Sequence, residues 1–198
     1  FVKKVVNIGP HGAFHTFLDT KETREIPTEL EQGFLLIEQF ASEAQGRPLD
    51  ELHYDMSVER TRLFRGISPD YGPPPPYEAV YTADTQAAGR AIISDLLKRY
   101  SDSNFHPART ERPDFLGVEL AYMHFLCSRE TEARKDGDHA QRLLNTEKDF
   151  LRDHLIRWVP KFCDKVVNDA KNDFYRGMAI ILSWFVNADL KFLEDRVP

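Results

Sequence analysis

The stretch PDFLGVELAYMHFLCSRE, residues 113–130, sets the tightest limit on the fold, because as a helix it has no polar side broad enough to face water. Leu116, Leu120, Met123 and Cys127 recur at helical spacing along one stripe, and Val118, Tyr122, Phe125 and Leu126 along a second. A helix that is apolar around most of its circumference must be packed on several sides. The rest of the chain therefore has to supply neighbours for it.

Those neighbours read as further helices. From Pro27, PTELEQGFLLIEQFASEAQG sets Leu30, Phe34, Ile37 and Phe40 near helical spacing behind an acidic first turn, with Gly46 as a stop. PLDELHYDMSVERTRLFRG repeats that logic with Leu49, Leu52, Met56, Leu63 and Phe64 ahead of Gly66. DTQAAGRAIISDLLKRY reads as a helix opened by Asp84 or Thr85, and SDSNFHPARTER as a surface loop. DHAQRLLNTEKDFLRDHLIRWVP turns Leu144, Leu151, Leu155 and Trp158 inward and is stopped or kinked at Pro160, after which KFCDKVVNDAK continues. DFYRGMAIILSWFVNADLKFLED shows Phe174, Met178, Ile181 and Phe185 at steps of four, three and four.

No segment alternates as a strand does, and no internal repeat is visible. The fold class is all-α, a single-domain helical bundle. Residues 1–26 form an uncertain N-terminal segment, in which VVNIGPHG reads as an extended piece ending in a turn and AFHTFLDT as one or two amphipathic turns. Residues 27–198 form a single all-helical domain with a proline-rich loop at 66–77. The four consecutive prolines in that loop cannot donate backbone hydrogen bonds and favour stiff polyproline II backbone, so it is a rigid connection.

A length of 198 residues suits one core, and 41% apolar with 29% charged residues is the balance of a soluble globular chain. There is no apolar run of membrane length, so no direct membrane insertion is expected. The formal charge of -6 argues against nucleic acid, whose binders need a basic face. Cys127 and Cys163 each lie in an apolar helical pattern and read as reduced core thiols, which, with no secretory signal visible at the start, points to the cytoplasm.

Catalytic and metal chemistry find no carrier. There is no HExxH, no paired CxxC, no EF-hand loop, no GxxxxGK and no Gly-x-Ser-x-Gly elbow. Glu119 and His124, five residues apart on a helix, point about 140° apart and do not converge on one ion. No catalytic residue, metal or cofactor is expected, and His154, one turn before Trp158, reads as a stacked or hydrogen-bonded core histidine. What remains suggestive is binding. PPYEAVY places Tyr77, Glu78 and Tyr81 beside a rigid turn, and aromatic rings with a polar handle suit a partly apolar peptide, or else cover the core there. Asp114, after Pro113 and before Gly117, fits either the cap of its own helix or half of a binding site.

Four stretches taken together resemble the TorD/DmsD family of cytoplasmic molybdoenzyme maturation chaperones, related to the NarJ-type chaperones. They are RLFRGISPDYGPPPPYEAVY, RPDFLGVELAYMHFLC, FLRDHLIRWVPKFCDKV and DFYRGMAIILSWF, covering residues 62–185 in the family's order. The resemblance implies an all-helical protein that is not an enzyme. It implies that the partners are the precursor of a molybdoenzyme catalytic subunit and its twin-arginine signal peptide, held in the cytoplasm until the molybdenum cofactor is inserted, as in anaerobic respiration. Carried over by position, Asp114 matches the family's binding aspartate, Tyr77 falls where relatives often have Trp, Tyr81 matches the loop tyrosine, and Gly117 and Glu119 complete that motif. With Val80 and Phe115, these residues are expected to line a signal-peptide groove between the proline-rich loop and the helix that starts at Pro113. Two features depart from the family: Phe115 stands where His is common, and the first 26 residues lack the usual arginine- and tyrosine-rich helix. A helical metal-dependent enzyme and a permanent adaptor subunit of a redox complex are the alternatives.

Overall fold

A computed structural model describes residues 27–68, 71–108, 110–133 and 137–196. Helix α1 spans Thr28–Glu43, α2 Leu49–Phe64, α3 Glu78–Thr82, α4 Gln86–Asp102, α5 Leu116–Ala133 and α6 Gly137–Phe150. A π-helical turn, Leu151–Leu155, then leads into α7, Ile156–Asp169, and α8, Asp173–Arg196, closes the series. Among the described residues there is no strand beyond an isolated antiparallel bridge between Tyr77 and Phe115, so the protein is an all-α bundle. The sequence readings of residues 1–26 lie outside the described residues. No helix among the described residues is long and apolar enough to cross a membrane.

The helix that no single face could satisfy is packed on several sides. On α5, Leu116, Val118, Tyr122, Met123 and Leu126 are buried, and Leu120, Phe125 and Cys127 pack half-buried against the same core. Aromatic rings fill its flank: Tyr100 and Phe150 each lie 4.8 Å from Tyr122, edge to face, the arrangement that aromatic quadrupoles favour. Phe105 belongs to the segment expected to be a surface loop, yet its ring joins this nest 5.3 Å from Tyr122. Of the two candidate caps for α4, Thr85 does the work, its Oγ1 accepting from the Ala88 amide at 3.1 Å. Pro160 neither stops its helix nor stands at its end: it lies inside α7, shortly after the π turn.

The long last helix buries a different set from the one its large residues suggest. On α8 the buried residues are Gly177, Ala179, Val186 and Leu193, whereas Phe174, Ile181 and Phe185 are half-buried and Met178 is 46% exposed. The reason is a close crossing with α1. A Cβ on Gly177 would lie 2.5 Å from the Gly33 carbonyl oxygen, and one on Gly33 would lie 2.7 Å from Ile181 Cγ1. Small residues buy this contact, and the bulky ones are pushed to its flanks. Helix propensity alone would make Gly177→Ala stabilising by about 1 kcal/mol. We expect the opposite sign, a loss of roughly 1–3 kcal/mol from overpacking against backbone that cannot swing away, read by urea unfolding. A gain in stability would mean that the two helices do not meet this closely.

Candidate functional site

The proline-rich segment is a strap that ends on the entrance of α5. Gly66 opens it with φ of +58°, and a Cβ there would sit 2.3 Å from Pro75 Cδ, so only glycine lets the strap fold back over its own start. After the last proline, Tyr77 is extended and α3 begins. The Pro76 carbonyl accepts from the Leu116 amide at 3.0 Å, and the Glu78 amide donates to the Asp114 carbonyl at 2.9 Å. These two bonds make the Tyr77–Phe115 bridge. The strap and the α5 entrance therefore meet edge to edge at Tyr77 and Phe115, because the backbone groups on either side of Tyr77 find the unpaired groups ahead of the helix.

Asp114 is fully buried, with 0% exposure. Its carboxylate accepts from an amide of α3, that of Ala79 at 3.3 Å, so the first turn it caps belongs to a helix 35 residues earlier in the chain. Arg112 grips the same carboxylate with both arms of its fork, Nε at 2.9 Å and Nη2 at 2.8 Å. The guanidinium lies over the Tyr77 ring, 4.5 Å from its centroid, and that ring meets Phe115 at 5.7 Å. Exposed Gly117 leaves room for Phe115, whose ring would stand 2.8 Å from a Cβ there. Val80 faces outward at 45% exposure.

Tyr81 and Glu119 belong to a second, inner cluster around Trp158. The Tyr81 hydroxyl donates to the Pro74 carbonyl at 2.7 Å, and its ring packs 5.7 Å from Trp158 and 5.9 Å from Phe162. Burial, helped by Cys163 and Asp169, pushes the Tyr81 phenol well above its ordinary range. Glu119 is fully buried; its Oε2 accepts from the Trp158 indole at 3.1 Å and its Oε1 has no partner. Burial, with the Glu78 and Asp114 charges adding to it, drives the Glu119 pKa well up against the opposing pull of the indole bond. His124 is exposed while Glu119 is buried, so the two do not share a site. Among the described residues no group of three or more His, Cys, Asp or Glu side chains could hold a metal ion.

Two features of this region lie outside the expected site residues. His154, from the π turn, sets Nδ1 2.8 Å from Glu78 Oε2 and Nε2 2.9 Å from Asp95 Oδ2, contacts that span 76 and 59 residues of chain. Asp95 also takes a bond from Arg99 at 2.8 Å, and Arg99 reaches Asp153 at 2.9 Å. Burial raises the Asp95 pKa, but the Arg99 and His154 bonds outweigh it and hold the carboxyl below its ordinary range. The hydrogen-bonded core histidine expected at position 154 is thus present, as the pin that ties α3 to α4. Arg112 was legible in principle, since an arginine two residues before a buried aspartate can reach it bidentately.

A groove of about 370 Å³ opens elsewhere, between α2 and the turn after α7, with Phe40, Leu52, Tyr54, Met56, Val58 and Tyr71 on its apolar side. Tyr54 is 69% and Tyr71 46% exposed at its rim.

Comparison with known proteins shows what the chain is similar to. A family model described as the nitrate reductase delta subunit matches residues 23–164. The chain is 38% identical over 73 residues to the chlorate reductase assembly chaperone protein of Ideonella dechloratans, a stretch of 36% of this chain and 38% of that one. It is 30% identical over 109 residues to the selenate reductase assembly chaperone protein of Thauera selenatis, covering 54% and 55% of the two chains. Against the chaperone protein TorD of Vibrio parahaemolyticus it is 24% identical over 120 residues, 60% and 55% of the two. The matched stretches span about half, or less, of the length of these relatives.

Proposed function

The chain belongs to the nitrate reductase delta subunit family, and on that premise we propose that it is a maturation chaperone of a molybdenum-cofactor oxidoreductase. It binds the precursor of the catalytic subunit and its twin-arginine signal peptide in the cytoplasm, supports cofactor insertion before export, and transforms no substrate itself. The family match carries this reading, supported by relatives whose own names are those of reductase assembly chaperones.

The local chemistry is consistent with it. A leader peptide of this kind is cationic at one end and apolar beyond it. A buried carboxylate beside an aromatic ring, as Asp114 stands beside Tyr77 with Phe115 and exposed Val80 adjoining, offers a guanidinium two parallel bonds and a π face. The mature part of the precursor needs a second surface, and the apolar groove rimmed by Tyr54 and Tyr71 is the candidate for it.

Titration calorimetry with a synthetic twin-arginine leader tests the reading. The wild-type protein should bind it, and Asp114→Asn should weaken binding by about tenfold or more, as expected for a lost charged hydrogen bond worth roughly 1.5–3 kcal/mol. Unchanged affinity with unchanged far-ultraviolet circular dichroism would remove Asp114 from the contact. Size exclusion of native extract separates a chaperone, absent from the mature reductase, from an adaptor that stays with it.

A further inference from the structure

We propose that Arg112 occupies, within its own chain, the seat of an arginine of the bound polypeptide, and that binding proceeds by exchange of one guanidinium for the other. This rests on the reading above that a cationic leader is bound near Asp114, and it adds that the resting seat is filled.

The two partners are unequal. The Asp114 side chain has 0% exposure and is fixed in the wall of the protein, while the Arg112 side chain has 50% and stands half in water. The anion also has an anchor that does not depend on Arg112, the Ala79 amide at 3.3 Å, so the seat keeps its shape when the arginine swings out. A buried carboxylate without a cation is costly, so the resting protein needs one there. The full set of contacts that recognise arginine, a bidentate fork and a ring 4.5 Å below it, is then made by the residue two positions before the aspartate. Lysine is a point charge and cannot reproduce the fork.

Exchange has two consequences. Because one guanidinium replaces another, exchange offsets part of what the seat contributes, and the rest of the affinity comes from apolar contacts beside it, around Tyr77, Val80 and Phe115. A polypeptide without arginine leaves the seat closed, so Arg112 sharpens selection while lowering affinity. An occupant that holds a site nine-tenths of the time reduces apparent affinity about tenfold.

The test uses Arg112→Gln, which removes the guanidinium. Its melting temperature should fall, and millimolar methylguanidinium chloride should restore it more than methylammonium chloride at equal concentration, whereas the wild-type protein should show no such difference. The twin-arginine leader should bind the variant about tenfold tighter than wild type, and a leader with both arginines changed to lysine should not gain. Equal effects of the two salts on the variant, or equal or weaker leader binding by it, would overturn the exchange. Should Arg112→Gln fail to fold, Arg112→Lys keeps the charge without the fork and is held to the same two outcomes. If wild type binds no leader at all, the chaperone reading fails, while the methylguanidinium comparison still judges the seat.

Discussion

Replacing His154 by alanine is expected to lower the free energy of unfolding by about 3–5 kcal/mol, from a buried carboxyl left without its hydrogen-bond partner and from the lost packing of the ring on Phe150. Glu78 has 0% exposure, its Oε1 has no partner among the described residues, and its Oε2 meets the His154 ring at 2.8 Å. Without the imidazole the carboxyl is left bare in the core. Asp95, the other partner, keeps Arg99 and is 48% exposed, so little of the loss comes from that side. The double variant Glu78→Leu with His154→Leu separates the two causes, because replacing both members of a buried pair by apolar residues is often nearly neutral. Urea unfolding followed by circular dichroism should place the double variant well above His154→Ala. A His154→Ala protein within about 1 kcal/mol of wild type would show that Glu78 is not held this way. The consequence reaches the site: Glu78 opens α3, and the next residue supplies the Ala79 amide that anchors Asp114.

The pin at His154 marks where sequence patterning loses its reach. Periodicity reports what one element needs from its surroundings, and the two apolar stripes of α5 are enough to demand a bundle. It does not report which distant residue answers a polar group, so Asp114 reads as the cap of its own helix although the amide it caps lies on α3. The family motif places Tyr77, Tyr81, Asp114 and Glu119 near one another, but alone it does not divide them. The structure sets half-buried Tyr77 and fully buried Asp114 beneath Arg112 and puts Tyr81 and Glu119 on Trp158. Side-chain size misleads in α8, where the glycine crossing decides which face is buried. Position misleads in α2, whose first residue, Leu49, falls at helical spacing with the inward set yet is 78% exposed.

Trp158 joins the strap to the core, and truncating it should cost about as much as unpinning Glu78. The indole is fully buried, forms the shelf on which Tyr81 lies, and gives Glu119 the hydrogen bond recorded for that carboxyl. Trp158→Ala is expected to destabilise by about 3–5 kcal/mol through lost burial and the cavity left behind. Trp158→Phe keeps an aromatic shelf and removes the indole donor, so its loss, about 1–3 kcal/mol, isolates the orphaned carboxyl. If that carboxyl is the cause, adding Glu119→Leu to Trp158→Phe should recover most of the difference. A double variant no more stable than Trp158→Phe would assign the loss to shape instead. The leader peptide gives a second readout. Tyr81 packs on Trp158 and Phe162 and hydrogen-bonds the strap at Pro74, so a folded Trp158→Phe protein should bind a twin-arginine leader as wild type does, whereas loss of binding would move the contact surface from the α5 entrance to the inner face of the strap.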